Sequence, residues 1–191
     1  LAGVSASQVE IQSGIQFYDG ITTDAIQEIL IKSASDLISL DNPNYQYVAA
    51  RLLLYAIRKS LYGRLWELPH LYDHINDCVK KEVYDADILI KYSKEEIEIL
   101  NDIIDHDRDF IFTYAGLRQV SDKYLVQDRS SGQVYETPQF MYLLIAMTIF
   151  ADYPKETRIN YVTRYYNAIS KHKINIPTPI MGGVRTPLRQ F

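Results

Sequence analysis

The chain has 191 residues, of which 47% are hydrophobic and 23% charged, and a formal net charge of −4. That length suits one domain or somewhat more, and the composition can bury a core, which excludes disorder as a description of the whole chain. The negative charge excludes phosphate-backbone binding as the main role. The single cysteine, Cys78, excludes a disulfide framework.

Residues 1–4 lack the basic start and apolar stretch of a signal peptide, and the apolar run 141–150 is too short to span a membrane. The expected location is the cytoplasm, with no membrane and no nucleic-acid partner.

In chain order, Ser7 with Glu10 three residues on reads as a capping box opening a first helix, which the Asp19-Gly20 turn ends. Thr22-Thr23-Asp24 caps a second helix, whose Ile26, Ile29, Leu30, Leu37 and Leu40 recur at three- and four-residue spacing. A third runs over about residues 43–62; it is apolar nearly all round between Val48 and Ile57, the pattern of a helix buried between neighbours, and Gly63 breaks it.

A loop carrying Trp66 follows, then helices over 71–83 and 86–92. Ser93 and Glu96 form a second capping box, opening a helix with Ile97, Leu100, Ile103 and Ile104 on one face. His106-Asp107-Arg108-Asp109 is a polar corner, and residues 112–120 are helical. Residues 123–127 and 133–135 flank Ser130-Ser131-Gly132 as a β-hairpin signal. Pro138 and Pro154 each occupy a first helical position, predicting helices to Phe150 and Ile169.

In the tail, Pro177, Pro179, Gly182 and Gly183 argue against a helix and for an extended segment needing a neighbouring strand. The predicted fold is therefore mainly α: a helical bundle with a small β-hairpin and a C-terminal extended strand that would join an α/β barrel formed by other residues.

Short motifs point to no chemistry of their own. His70 and His74, four apart on a helix, have a spacing that can bind metal, but without a metalloprotease-type glutamate they read as surface or capping histidines. His106 to Asp109 can orient an imidazole, although such clusters are more often ion-pair corners between helices. Cys78 reads as a helix-face cysteine, despite the nearby Lys80 and Lys81. Gly182-Gly183 lacks the Lys-Ser/Thr of a phosphate loop, and the 16 tyrosines read as packing residues. No residue is assigned as catalytic or as a metal ligand.

Three stretches add a resemblance. They are Asp41-Asn42-Pro43-Asn44-Tyr45-Gln46-Tyr47 running on to Leu52; Lys123-Tyr124-Leu125-Val126-Gln127-Asp128 followed by Tyr135-Glu136-Thr137-Pro138-Gln139-Phe140; and Pro177-Thr178-Pro179-Ile180-Met181 followed by Gly183-Val184-Arg185-Thr186-Pro187 and Arg189-Gln190-Phe191. In order and spacing they resemble the large (α) subunit of class Ia ribonucleotide reductase of bacteria and bacteriophages.

The resemblance implies three parts: residues 1–59 as the helical part of an ATP-cone, residues 60–173 as the helical N-terminal domain, and residues 174–191 as the lead into the first strand of the catalytic barrel. It implies that Thr23 and Lys59 contact an allosteric nucleotide, ATP or dATP, and that Thr178 contacts the ribonucleoside diphosphate substrate. Gln27 stands where relatives often place a histidine.

The family's cone begins with a basic, glycine-containing hairpin that would precede Leu1, and its redox and radical-bearing cysteines would follow Phe191. The expectation is thus an oxidoreductase component, inactive alone, either cut from a long subunit or one half of a naturally split one, with splitting favoured. The implied partners are the C-terminal fragment of the large subunit and a radical-generating β subunit, in a hetero-oligomer. This chain would hold no cofactor; the thiyl radical and the di-iron tyrosyl radical would come from other chains or fragments. The alternative is a non-catalytic helical interaction or regulatory module derived from that domain.

Overall fold

A computed structural model describes residues 1–189. Among the described residues ten α-helices follow one another: α1 (Ala6–Gly14), α2 (Thr23–Asp36), α3 (Tyr45–Tyr62), α4 (Leu71–Lys80), α5 (Asp87–Lys91), α6 (Lys94–Ile103), α7 (Tyr114–Lys123), α8 (Pro138–Ile149), α9 (Lys155–Ser170) and α10 (Thr178–Gly183). A 3₁₀ turn, His106–Ile111, separates α6 from α7.

Local chemistry sets several ends. The Thr22 hydroxyl accepts from the Ala25 N–H, satisfying one of the free donors at the start of α2. The predicted box at α6 is present in full, with Ser93 Oγ accepting from Glu96 N and Glu96 accepting from Ser93 N. Gly63 takes a left-handed conformation (φ +71°) to close α3.

The box expected at Ser7 is absent. The α1 helix starts two residues earlier, with Ser5 at its cap, and the Ser5 side chain makes no cap bond. Instead the Ser5 N–H donates to the Tyr45 hydroxyl (3.0 Å), so a tertiary contact fixes this end.

Two apolar clusters hold the helices. Val9, Ala34, Tyr45 and Ala49 join α1, α2 and the first turns of α3. The larger cluster surrounds α8, whose residues from Pro138 to Met147 are all buried. Leu53, Leu54 and Ile57 carry α3 into that second cluster, so this one helix serves both, as its all-round apolarity predicts.

Three buried arginines cross-link segments far apart in sequence: Arg58 to Asp109 (2.9 Å), Arg158 to Glu96, and Arg185 to Glu136.

Two expectations are corrected. The hairpin is reduced to a single antiparallel bridge, Gln127 with Val134. The α7 helix runs through Lys123 and takes the first hairpin residue. The Glu136 carboxylate, not a carbonyl, accepts the Val126 N–H (2.7 Å), which stops the ladder, and Pro138 follows with no N–H to extend it.

The tail likewise does not form a barrel-joining strand. Pro177 is the cap of α10 and Pro179 sits at its second position, where no N–H is needed. Gly182 and Gly183 fall in its last turn, and Arg185 is then drawn into the core. The Asp85 N–H donates to the Arg185 carbonyl (2.9 Å), so the tail finds partners within this chain. Gln190 and Phe191 lie outside the described residues.

Candidate functional site

The three residues singled out for ligand contact fall at two places. Thr23 is the exposed first residue of α2, and Lys59 is half-buried near the end of α3. Consecutive helices joined by a short connection run antiparallel here. Ala34 meets Tyr45 and Ala49, while Gln27 Nε2 donates to the Leu52 carbonyl (3.1 Å). Thr23 and Lys59 therefore share one end of the α2–α3 pair. Gln27 is occupied with the α3 backbone.

Thr178 lies elsewhere, exposed at the start of α10 and on the wall of a cavity of about 980 Å³. Tyr84, Asp85, Lys123, Tyr124 and Arg129 also line it. The Thr178 and Tyr124 hydroxyls are 3.3 Å apart, and this bond holds the Tyr124 phenol below its ordinary pKa. The lining is mainly apolar, and the two adjacent hydroxyls form a polar patch in it that Lys123 and Arg129 share with the acidic Glu82 and Asp85.

Beneath the cavity lies a buried polar network. Glu136 is fully buried and accepts from the Tyr84 hydroxyl, the Val126 N–H and the Arg185 guanidinium. Burial pushes the Tyr84 phenol well above its usual pKa, and the Glu136 carboxylate adds to that. Burial opposes the charge on Arg185, but Glu136 and Tyr84 outweigh it and raise its pKa.

His74 Nε2 sits 3.0 Å from the Tyr84 oxygen. The Tyr84 proton goes to Glu136, so His74 donates to the Tyr84 oxygen through Nε2–H. The imidazole stacks on Phe140 with ring centroids 4.0 Å apart, and burial lowers its pKa to about 3, with His106 and Lys81 adding to the shift.

The cysteine and histidine candidates resolve as structure. Cys78 is buried against His74 and the Tyr135 carbonyl, and burial, then Glu136, pushes its thiol up to about 12. His70 caps α4 through Nδ1 and pairs with Glu98 (2.9 Å). His74 departs from the surface-or-cap reading because α4 turns it into the core. Among the described residues, no group of three or more His, Cys, Asp or Glu is placed to hold a metal.

The corner at 106–109 is an ion-pair junction: buried Asp109 meets Arg58 and accepts from Gln139 (3.0 Å), and Arg108 meets Asp105 (3.1 Å). Sequence reasoning missed the Glu136–Arg185 pairing, since no spacing rule links residues 49 apart. The one local signal was a charged residue, Glu136, two positions before the apolar run that opens with Pro138.

The sequence has counterparts among known proteins. Residues 110–189 match the family described as "Ribonucleotide reductase, all-alpha domain". Over the whole of this chain, 53% of positions are identical to the ribonucleoside-diphosphate reductase 1 subunit alpha of Escherichia coli (strain K12). The corresponding subunit of Enterobacteria phage T4 is 49% identical over 99% of the chain, and that of Helicobacter pylori 34% identical over all of it.

Along its whole length the chain matches the N-terminal region of these reductase α subunits. It spans about a quarter of the length of these relatives: 25%, 25% and 23% respectively. Among the described residues, no helix is long and apolar enough to cross a membrane.

Proposed function

We propose that the chain acts as the N-terminal component of a ribonucleoside-diphosphate reductase large subunit, contributing part of the substrate site and part of an allosteric nucleotide site. The observation that carries this reading is a match over the full chain to reductase α subunits, with 53% of positions identical in the first relative.

Thr178, at the wall of the cavity, contacts the ribonucleoside diphosphate. Thr23 and Lys59 at the common end of α2 and α3 contact ATP or dATP, a lysine beside phosphates being sound electrostatics. Residues 1–59, 60–173 and 174–191 serve as cone, helical domain and lead into the barrel. The rest of the large subunit, as a separate C-terminal fragment or as continuing chain, supplies the redox and radical-bearing cysteines, and a β subunit supplies the radical.

Reduction at the 2′ carbon needs a thiyl radical and a dithiol. Cys78, buried with a raised pKa, is suited to neither role.

The test combines this chain with the remaining three quarters of the subunit and a β subunit and follows reduction of ribonucleoside diphosphates. Thr178→Ala should weaken substrate binding or turnover while leaving assembly intact; unchanged turnover would show that Thr178 has no substrate role. Absence of both activity and co-elution would refute the component reading.

One observation favours the alternative, a non-catalytic helical module: the tail is tied into this chain's own core through Arg185. Deleting residues 177–191 does not separate the two readings cleanly, because it would also strand Glu136 as a buried unpaired charge. Reconstitution of activity does separate them.

A further inference from the structure

We propose that the buried Arg185–Glu136 pair is a positioning element for Thr178, holding α10 against Tyr124 so that the two hydroxyls face the cavity together; this rests on the substrate role proposed for Thr178.

The geometry is specific. Arg185 is 2% exposed and Glu136 not exposed at all. Arg185 Nε lies 3.0 and 3.1 Å from the two Glu136 oxygens, and its Nη2 also donates to Glu136. The same guanidinium also donates to two carbonyls: Nη1 to Met181 (2.6 Å) and Nη2 to Tyr124 (2.9 Å). Met181 is three residues beyond Thr178 on α10, and Tyr124 is the residue whose hydroxyl meets Thr178. One planar fork thus ties the backbones on both sides of the Thr178–Tyr124 contact, a task that a lysine's point charge cannot perform.

Glu136 gives this fork a fixed anchor. It accepts from Tyr84, in the segment between α4 and α5, and from the Val126 N–H, so three separate segments define where Arg185 must sit. The α10 helix has only six residues and no buried residue of its own. So short a helix is not self-supporting in water. Ile180 and Met181 rest partly buried against the core, and Arg185, just beyond the helix, fixes its far end and with it the position of Thr178.

The test replaces both charges, Glu136→Leu with Arg185→Met, because apolar replacement of a whole buried pair generally preserves folding where removal of one partner does not. In the 191-residue chain, hydrogen exchange should show the amides of Met181 and Val184 losing protection at least about ten-fold while those of α8 and α9 keep theirs. Protection within about two-fold of the parent would overturn the proposal.

In the assembled reductase the same pair should raise KM for a ribonucleoside diphosphate at least about ten-fold with a smaller change in kcat, as loss of substrate positioning requires. A normal KM in the double variant, with KM raised by Thr178→Ala, would refute positioning. A normal KM in Thr178→Ala itself refutes the substrate role instead, and the exchange measurement then decides the positioning alone. Should the double variant fail to fold, Arg185→Lys keeps the charge and removes the fork. It should still expose the Met181 and Val184 amides, and full retention of their protection would overturn the proposal.

Discussion

Lowering the pH from about 7 to about 5 should destabilise this chain through two imidazoles held neutral inside it. His74 lies on Phe140 with its pKa pushed by burial to about 3, and His106, edge-on to the same ring, has its pKa lowered to about 4 by burial and then by Arg58. In the unfolded chain both titrate near 6.5. As the pH falls below that value, the unfolded chain takes up two protons that the folded chain refuses. Stability present above about 6.5 is therefore lost toward the folded pKa values, by about 2 kcal/mol per histidine at pH 5.

Asp109 works in the opposite direction. Burial raises its carboxyl to about 6, against the pull of Arg58 and Gln139, so the folded chain binds this proton first. It returns about 1 kcal/mol over the same interval. The net loss is about 2–3 kcal/mol, or roughly 5–10 °C in Tm for a chain of this size.

Urea unfolding followed by circular dichroism at the two pH values measures this loss. His74→Phe keeps the stacking and should remove about 2 kcal/mol, most of the net loss. Equal stability at both pH values, or an undiminished loss in His74→Phe, would refute the reasoning.

Two more outcomes rest on local structure. Ser93→Ala removes the cap of α6 and should cost about 1 kcal/mol in urea unfolding; no loss would mean that tertiary packing alone holds that end. Cys78, buried with its thiol near 12, should resist alkylation at pH 8 in the folded chain by at least about a thousand-fold relative to a free thiol and react on unfolding. Fast labelling of the native chain would show that the α4 face opens.

The helices and many of their ends were legible because they depend on neighbours in sequence. The box at Ser93, the cap at Thr22, the stop at Gly63 and the proline opening α8 are local devices. So is the apolar run from Val48 to Ile57, which marks α3 as enclosed and so places it between two clusters.

The expected hairpin and tail strand failed where local preference met a distant partner. Residues 124–127 have strand-forming side chains, yet Val126 gives its N–H to a carboxylate ten residues away. The tail has helix-breaking residues, yet its prolines stand where a helix tolerates them and Arg185 anchors its C-terminal end in the core.

The candidate site divides the same way. Thr23, Lys59 and Thr178 came from a family resemblance spread along the chain. Composition and spacing said nothing of Tyr124, Tyr84 or the pair beneath them.

What the sequence by itself determined was an acidic, single-cysteine, mainly helical chain, with most helix positions set by caps, breaks and three- to four-residue apolar spacing. The tertiary structure alone decided which charges go inside. Glu136, Asp109, Arg58, Arg158 and Arg185 are residues that local rules place at the surface. They are buried here because each meets an oppositely charged partner brought from elsewhere in the chain, and only folding determines that pairing.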